Sequence, residues 1–234
     1  MDELLEFCVR MLGEREAGAR AAQAARSAAS RDRSDQLTRA IAACRRAGED
    51  EPAVTRLVPR PPGLAGPPDL ADAVAGELTA AAARLPQRQR EALALREMLR
   101  CSHREVARAI GIEAVAVAPL LARARVRLRS ELRGTPPPPS DCLERDRGLR
   151  MIALRQDGEP VPQADDDWLI EHLGHCVGCG QAHAAMLEAS VCYRAWPVPD
   201  EASSSPGPAF EPADARAGSG SQPADASPGA QQTS

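Results

Sequence analysis

The residues best suited to chemistry lie in His172-Leu-Gly-His-Cys176-Val-Gly-Cys179, an H-x3-C-x2-C cluster. Two cysteines separated by two residues can bring both thiolates to one ion, and Gly178 eases the turn between them. A helix-borne histidine four residues before the first cysteine adds a nitrogen. A structural zinc ion takes four such ligands in a tetrahedron. Cys142 is the natural fourth ligand, and the helices between it and His172 would fold back to close the site. His175 is a competing nitrogen ligand, with Cys192 and His183 as further possibilities. The alternative is a C-x2-C pair at a helix start without metal. The expected set is Cys142, His172, Cys176 and Cys179 around Zn2+.

A second chemistry is electrostatic. The 234 residues contain 29 basic side chains, all arginine, and 33 acidic ones, for a net charge of -4. Residues 81–133 carry 12 basic and 5 acidic groups, whereas residues 134–234 carry 6 and 15. A basic middle followed by an acidic end suggests a polyanion-facing module beside an acidic neighbour. Alternatively, these charges are solvated helix faces, since Arg and Glu are good helix formers.

The positioning elements are expected to be helices. Leu4, Leu5, Cys8, Val9 and Leu12 share one helical face, which Gly13 can end. Ala-rich helices follow over 14–29 and 35–46, then 70–85 and 87–100. Ser102 with Glu105 forms a capping box, and Gly111 sits where the short helix needs a left-handed stop. A longer helix then runs to Arg133. A short capped helix, a glycine turn and a longer helix make a helix-turn-helix. The Pro-rich stretches 48–68 and 134–140 read as linkers, and 197–234 reads as disordered. The chain is therefore expected to be all-α. Its helical modules would span 1–47, 69–133 and 141–196. With 2% aromatic residues, no single large core is expected.

Three stretches resemble, in order, region 4 of an extracytoplasmic-function sigma factor: Leu85-Pro-Gln-Arg-Gln-Arg-Glu-Ala-Leu-Ala-Leu-Arg, Ser102-His-Arg-Glu-Val-Ala-Arg-Ala-Ile-Gly-Ile, and Ala122-Arg-Ala-Arg-Val-Arg-Leu-Arg. The resemblance implies a transcription regulator whose partners are promoter DNA and core RNA polymerase. Residues 4–16 and 35–46 are similar to the first and last helices of that family's region 2, through Leu37, Arg39, Ile41 and Ala42 in the second case. The segment from Cys142 through Trp168 to Cys179 looks like a zinc-binding anti-sigma domain. That likeness implies a small helical bundle that embraces a sigma factor, and in some members a thiolate redox switch. Here the acidic segment is expected to dock on its own basic module at a high effective concentration.

Departures from the pattern matter. Where the family's recognition helix offers polar side chains to DNA, this chain has Ala116, Ala118, Pro119 and Leu120. None can hydrogen-bond a base edge. Residues 17–29 lack the aromatics and acids that the family uses for promoter opening and polymerase docking. Arg104, Arg123, Arg125, Arg127 and Arg129 remain as candidate phosphate contacts, which would give salt-sensitive binding without sequence reading. A competing expectation is a non-DNA-binding protein that binds a sigma factor or the polymerase. Cys8, Cys44 and Cys101 are expected as packing residues.

The sequence has no phosphate-binding glycine loop, metalloprotease helix or nucleophile elbow, so no enzyme is expected. The acidic N-terminus and the absence of a long apolar run suggest a cytoplasmic protein with no membrane partner.

Overall fold

A computed structural model of the chain describes residues 2–27, 32–49, 70–138 and 141–196. The disorder expected for 197–234 and most of the expected linker 48–68 lie outside the described residues. Among the described residues there are ten α-helices and no strand, so the fold is all-α. No helix among them is long and apolar enough to cross a membrane.

Helices α1 (Glu3–Leu12), α2 (Arg15–Arg26) and α3 (Arg33–Glu49) open the chain. Asp2 caps α1 by accepting a hydrogen bond from the Leu4 N–H, and Gly13 ends it with φ of 73°. The α1–α2 crossing is close enough that a Cβ on Gly18 would lie 2.6 Å from Val9 Cγ2. Helix α2 has only alanines and Gly18 to bury, and it contributes Ala17, Ala21, Ala22 and Ala25 to the interior. Such a face is marginal alone and is stabilised by its packing on α1 and α3.

Helices α4 (Leu70–Ala83), α5 (Gln87–Glu97), α6 (His103–Ile110) and α7 (Val117–Arg133) follow. Pro86 ends the chain's course along α4 and caps α5. Ser102 and Glu105 form both halves of the capping box on α6, and Gly111 stops that helix at φ of 72°. A 3-10 turn over Ala114–Ala116 leads into α7. Pro119 therefore falls in the first turn of α7, where its missing N–H leaves no bond unmade. Helices α8 (Arg145–Gln156), α9 (Gln163–His175) and α10 (Val177–Arg194) complete the chain's described part.

Two apolar clusters organise these helices. The first joins α1–α3 to α4–α7 and includes Phe7, Leu37, Ile41, Leu93, Leu95, Val106, Leu121 and Leu128. Tyr193 at the end of α10 and the following Trp196 also belong to it. Cys8, Cys44 and Cys101 are buried there, as expected of packing thiols, and burial pushes the Cys101 thiol up to about 11. The second cluster joins Ala118, Ala122 and Val126 of α7 to Leu149 and Ile152 of α8, Leu169 of α9, and Ala182 and Met186 of α10. Helix α7 thus has two apolar faces, one turned to each cluster.

Polar contacts bind the N-terminal helices to the middle ones. Arg45 grips Glu91 in a bidentate pair at 2.8 and 2.6 Å, and Arg33 donates to the Leu99 carbonyl at 2.6 Å. Arg10 lies over the Trp196 ring, 5.5 Å from its centroid.

Candidate metal centre and helix-turn-helix face

Cys142, His172, Cys176 and Cys179 converge at one end of the α8–α10 bundle. Their ligand atoms all lie within 4.8 Å of one another. Cys142 Sγ is 3.5 Å from His172 Nε2. Helix α9 ends where Cys176 leaves the helical backbone, and that residue is also the N-cap of α10. This break lets the histidine of one helix and the cysteines at the start of the next face the same point. Helix α8 runs against the cluster, and a Cβ on Gly148 would lie 3.5 Å from Cys179 Sγ.

The donors fit a structural zinc ion: three sulfurs and one imidazole nitrogen form a four-ligand set. A tetrahedron with Zn–S bonds of about 2.3 Å has edges near 3.8 Å, so closure on an ion needs a contraction of about an ångström at most. Trp168 stacks on the His172 ring at 4.8 Å, and Arg147 lies 3.9 Å above Trp168. These contacts fix the imidazole's orientation from behind, as outer-shell groups do at metal sites. The backbone N–H of Cys179 lowers the Cys176 thiol, while burial pushes Cys179 up to about 12. His175 is exposed and bonded through Nδ1 to the Glu171 carbonyl, outside the four-residue set. His183 and Cys192 are also outside it.

The five arginines proposed for phosphate contact separate into different environments. Arg104, Arg123 and Arg127 are exposed. Arg129 is half-buried and reaches Glu188 of α10 at 3.4 Å. The same carboxylate accepts from Arg133 Nε at 2.6 Å, and these two arginines hold Glu188 below the usual carboxylate range, Arg133 most strongly. Arg125 departs from the expectation of a surface cation, being fully buried. Its guanidinium donates to Glu97 at 2.7 Å and to Asp157 at 2.6 Å.

That pair of contacts is the centre of a buried ionic cluster. Asp157, at the end of α8, also faces His103 Nε2 at 2.8 Å and Arg96 at 3.1 Å. Glu97 accepts from Ser190 at 2.7 Å and from Arg194 at 2.6 Å, both on α10. Helices α5, α6 and α7 on one side and α8 and α10 on the other therefore share one set of charges. Burial alone would raise Asp157, but the bonds from His103 and Arg125 and the charges of Arg125 and Arg96 outweigh it. Its carboxyl is held well below the ordinary range. Glu97 behaves likewise, with burial opposed by Arg125, Ser190 and Arg194.

Two positions in the sequence carry signals for this cluster that the arginine pattern obscures. Position 125 falls on the helical face of Ala118, Leu121 and Ala122, where an arginine needs an internal partner. Asp157 follows the last turn of α8, where a carboxylate opposes the helix dipole and needs a cation.

Comparison with known families finds one match in the middle of the chain. The family model for sigma-70 region 4 matches residues 75–128, which run from α4 into α7. This segment is a sigma-factor-like region 4, a transcription-regulatory domain type. No curated protein and no solved structure matches the chain.

Proposed function

We propose that this protein is a sigma-factor-like regulator of transcription initiation, of the extracytoplasmic-function type, whose own zinc-binding anti-sigma-like segment restrains its helix-turn-helix. In this reading the helix-turn-helix binds promoter DNA, core RNA polymerase, or both. One observation carries it: α8–α10 cover the inner face of α7 and engage three of its arginines with carboxylates. Asp157 takes Arg125, and Glu188 takes Arg129 and Arg133. These carboxylates stand where phosphate oxygens would be drawn, so the segment occupies the cations that would otherwise meet a polyanion. Arg104 and Arg123 remain for contact in the closed state, and Arg127 shares an exposed pair with Glu131.

Residues Cys142, His172, Cys176 and Cys179 would hold the zinc ion. The ion would supply a rigid tetrahedral anchor, fixing the ends of α8–α10 against one another. Restraint then depends on that small bundle keeping its shape.

A second reading is favoured by the apolar side of α7. Ala118, Ala122 and Val126 are buried against α8–α10, and no polar side chain stands at 116 or 118–120. On that reading the protein does not bind DNA and acts as an anti-sigma-like partner of a sigma factor or of the polymerase.

The test compares wild type with the double variant Asp157→Asn, Glu188→Gln for binding to duplex DNA and to core polymerase. The first reading expects tighter binding to at least one of them, with the helical circular dichroism retained. Unchanged DNA and polymerase binding in a folded double variant would contradict the restraint.

A further inference from the structure

A groove of about 660 Å3 lies between α7, α8 and residues 134–137 and belongs to neither the metal cluster nor the buried ionic cluster. We propose that it binds a small organic phosphate carrying hydroxyl groups on an apolar body. Val126, Leu149, Pro136 and Pro137 give it an apolar lining, and Arg123, Arg127 and Arg145 supply cations.

Its polar groups are incompletely matched. Arg145 Nη2 donates to the Pro138 carbonyl at 3.1 Å, whereas its Nη1 is buried without a partner. Gln89 also lines the groove, and its Oε1 is buried without a partner. A buried donor and a buried acceptor left unmade are costly, and they define what a ligand must bring. Once the Arg145 and Gln89 side chains turn these atoms toward the groove, anionic oxygens would satisfy the guanidinium and a hydroxyl would satisfy the amide oxygen. Two carboxylates share the groove. Glu131 is engaged by Arg84 and Arg127, each at 3.7 Å, and Asp146 is exposed. No carboxylate pairs with Arg123 among the described residues, so Arg123 and Arg145 are the cations free to take a phosphate. Guanidinium–phosphate contacts are among the stronger charge-assisted hydrogen bonds, and they suit this geometry.

The ligand would touch α7 through Arg123 and Val126 and α8 through Arg145 and Leu149, so it binds the docked arrangement and favours it. In this respect the proposal rests on the restraint described above. Binding itself is read without DNA, so failure of the groove and failure of the restraint give separate results.

The experiment is calorimetric titration of the full zinc-loaded chain with adenosine 5′-monophosphate and with inorganic phosphate. The expected result is one-site binding of the nucleotide, at least tenfold tighter than phosphate alone. Arg123→Gln and Arg145→Gln should each weaken it about tenfold or more, whereas Arg150→Gln, on α8 outside the groove, should leave it unchanged. Arg123 is exposed, so its variant keeps the fold even if Arg145→Gln does not. Absence of saturable heat at millimolar nucleotide, or equal binding by Arg123→Gln, would overturn the proposal. So would a DNA duplex that displaces the nucleotide and is itself weakened by both Arg123→Gln and Arg145→Gln, because the phosphate site would then be the DNA contact itself.

Discussion

The metal cluster and the buried ionic cluster both gather charged or coordinating side chains, yet they differ in reach. Three of the four candidate metal ligands lie within eight consecutive residues, and all four belong to α8–α10 and the short segment before them. The ionic cluster draws on Arg96, Glu97, His103, Arg125, Asp157, Ser190 and Arg194, which span the helix-turn-helix and the C-terminal helices. One lies within a module, and the other joins that module to α7. The difference implies separable failures: loss of metal should loosen α8–α10, whereas loss of the ionic cluster should loosen their attachment.

The largest expected effect is on metal binding. Cys176→Ser removes one of the four proposed ligands and should lower zinc affinity by more than the roughly 10–100-fold typical of losing an outer-shell partner. Measured against a chromophoric chelator, retention of wild-type affinity would exclude Cys176 from the site. Next comes Arg125→Met, which leaves Glu97 and Asp157 buried with fewer cations. Breaking such a cluster at one member costs about 3–5 kcal/mol, measurable by urea unfolding. A loss below about 1 kcal/mol would mean that the remaining arginines and His103 compensate.

Acid sensitivity sharpens the same comparison. Asp157 and Glu97 are held below their ordinary values in the folded chain. Their contribution is therefore complete above the unfolded carboxylate range near pH 4 and is lost as pH falls below it toward the folded values. Wild-type stability should fall steeply below about pH 4, and Arg125→Met should show a shallower acid limb. Equal limbs would show that other carboxylates dominate acid unfolding. The smallest effect is expected from Glu188→Gln, because this pair lies near the surface. It should cost about 0.5 kcal/mol or less of stability, while changing contacts to Arg129 and Arg133.

Much of the fold was legible because its signals are local. The Ser102–Glu105 capping box, the glycine stops at 13 and 111, and the H-x3-C-x2-C spacing each depend on a few neighbouring residues. What the α7 faces do was not legible. Alanines at 118 and 122 say only that the helix has little side chain there. They become a packing face because Leu149, Ile152 and Met186 arrive from more than 20 residues away. Small side chains permit close approach, and the partner that approaches is fixed by tertiary structure. Arg125 shows the same limit. Its alternation with Arg123, Arg127 and Arg129 suggests a shared solvent role, but the helix turns 125 inward and leaves 123 and 127 outside.

The central claim, that carboxylates of the C-terminal helices occupy cations that would otherwise meet phosphate, is most directly tested by the salt dependence of DNA binding. Each phosphate contact contributes about -0.9 to the slope of log K against log salt. Glu188→Gln frees Arg129 and Arg133, so its slope should be steeper than that of wild type by up to about 1.8. Equal slopes, or slopes near zero for both proteins, would contradict the account.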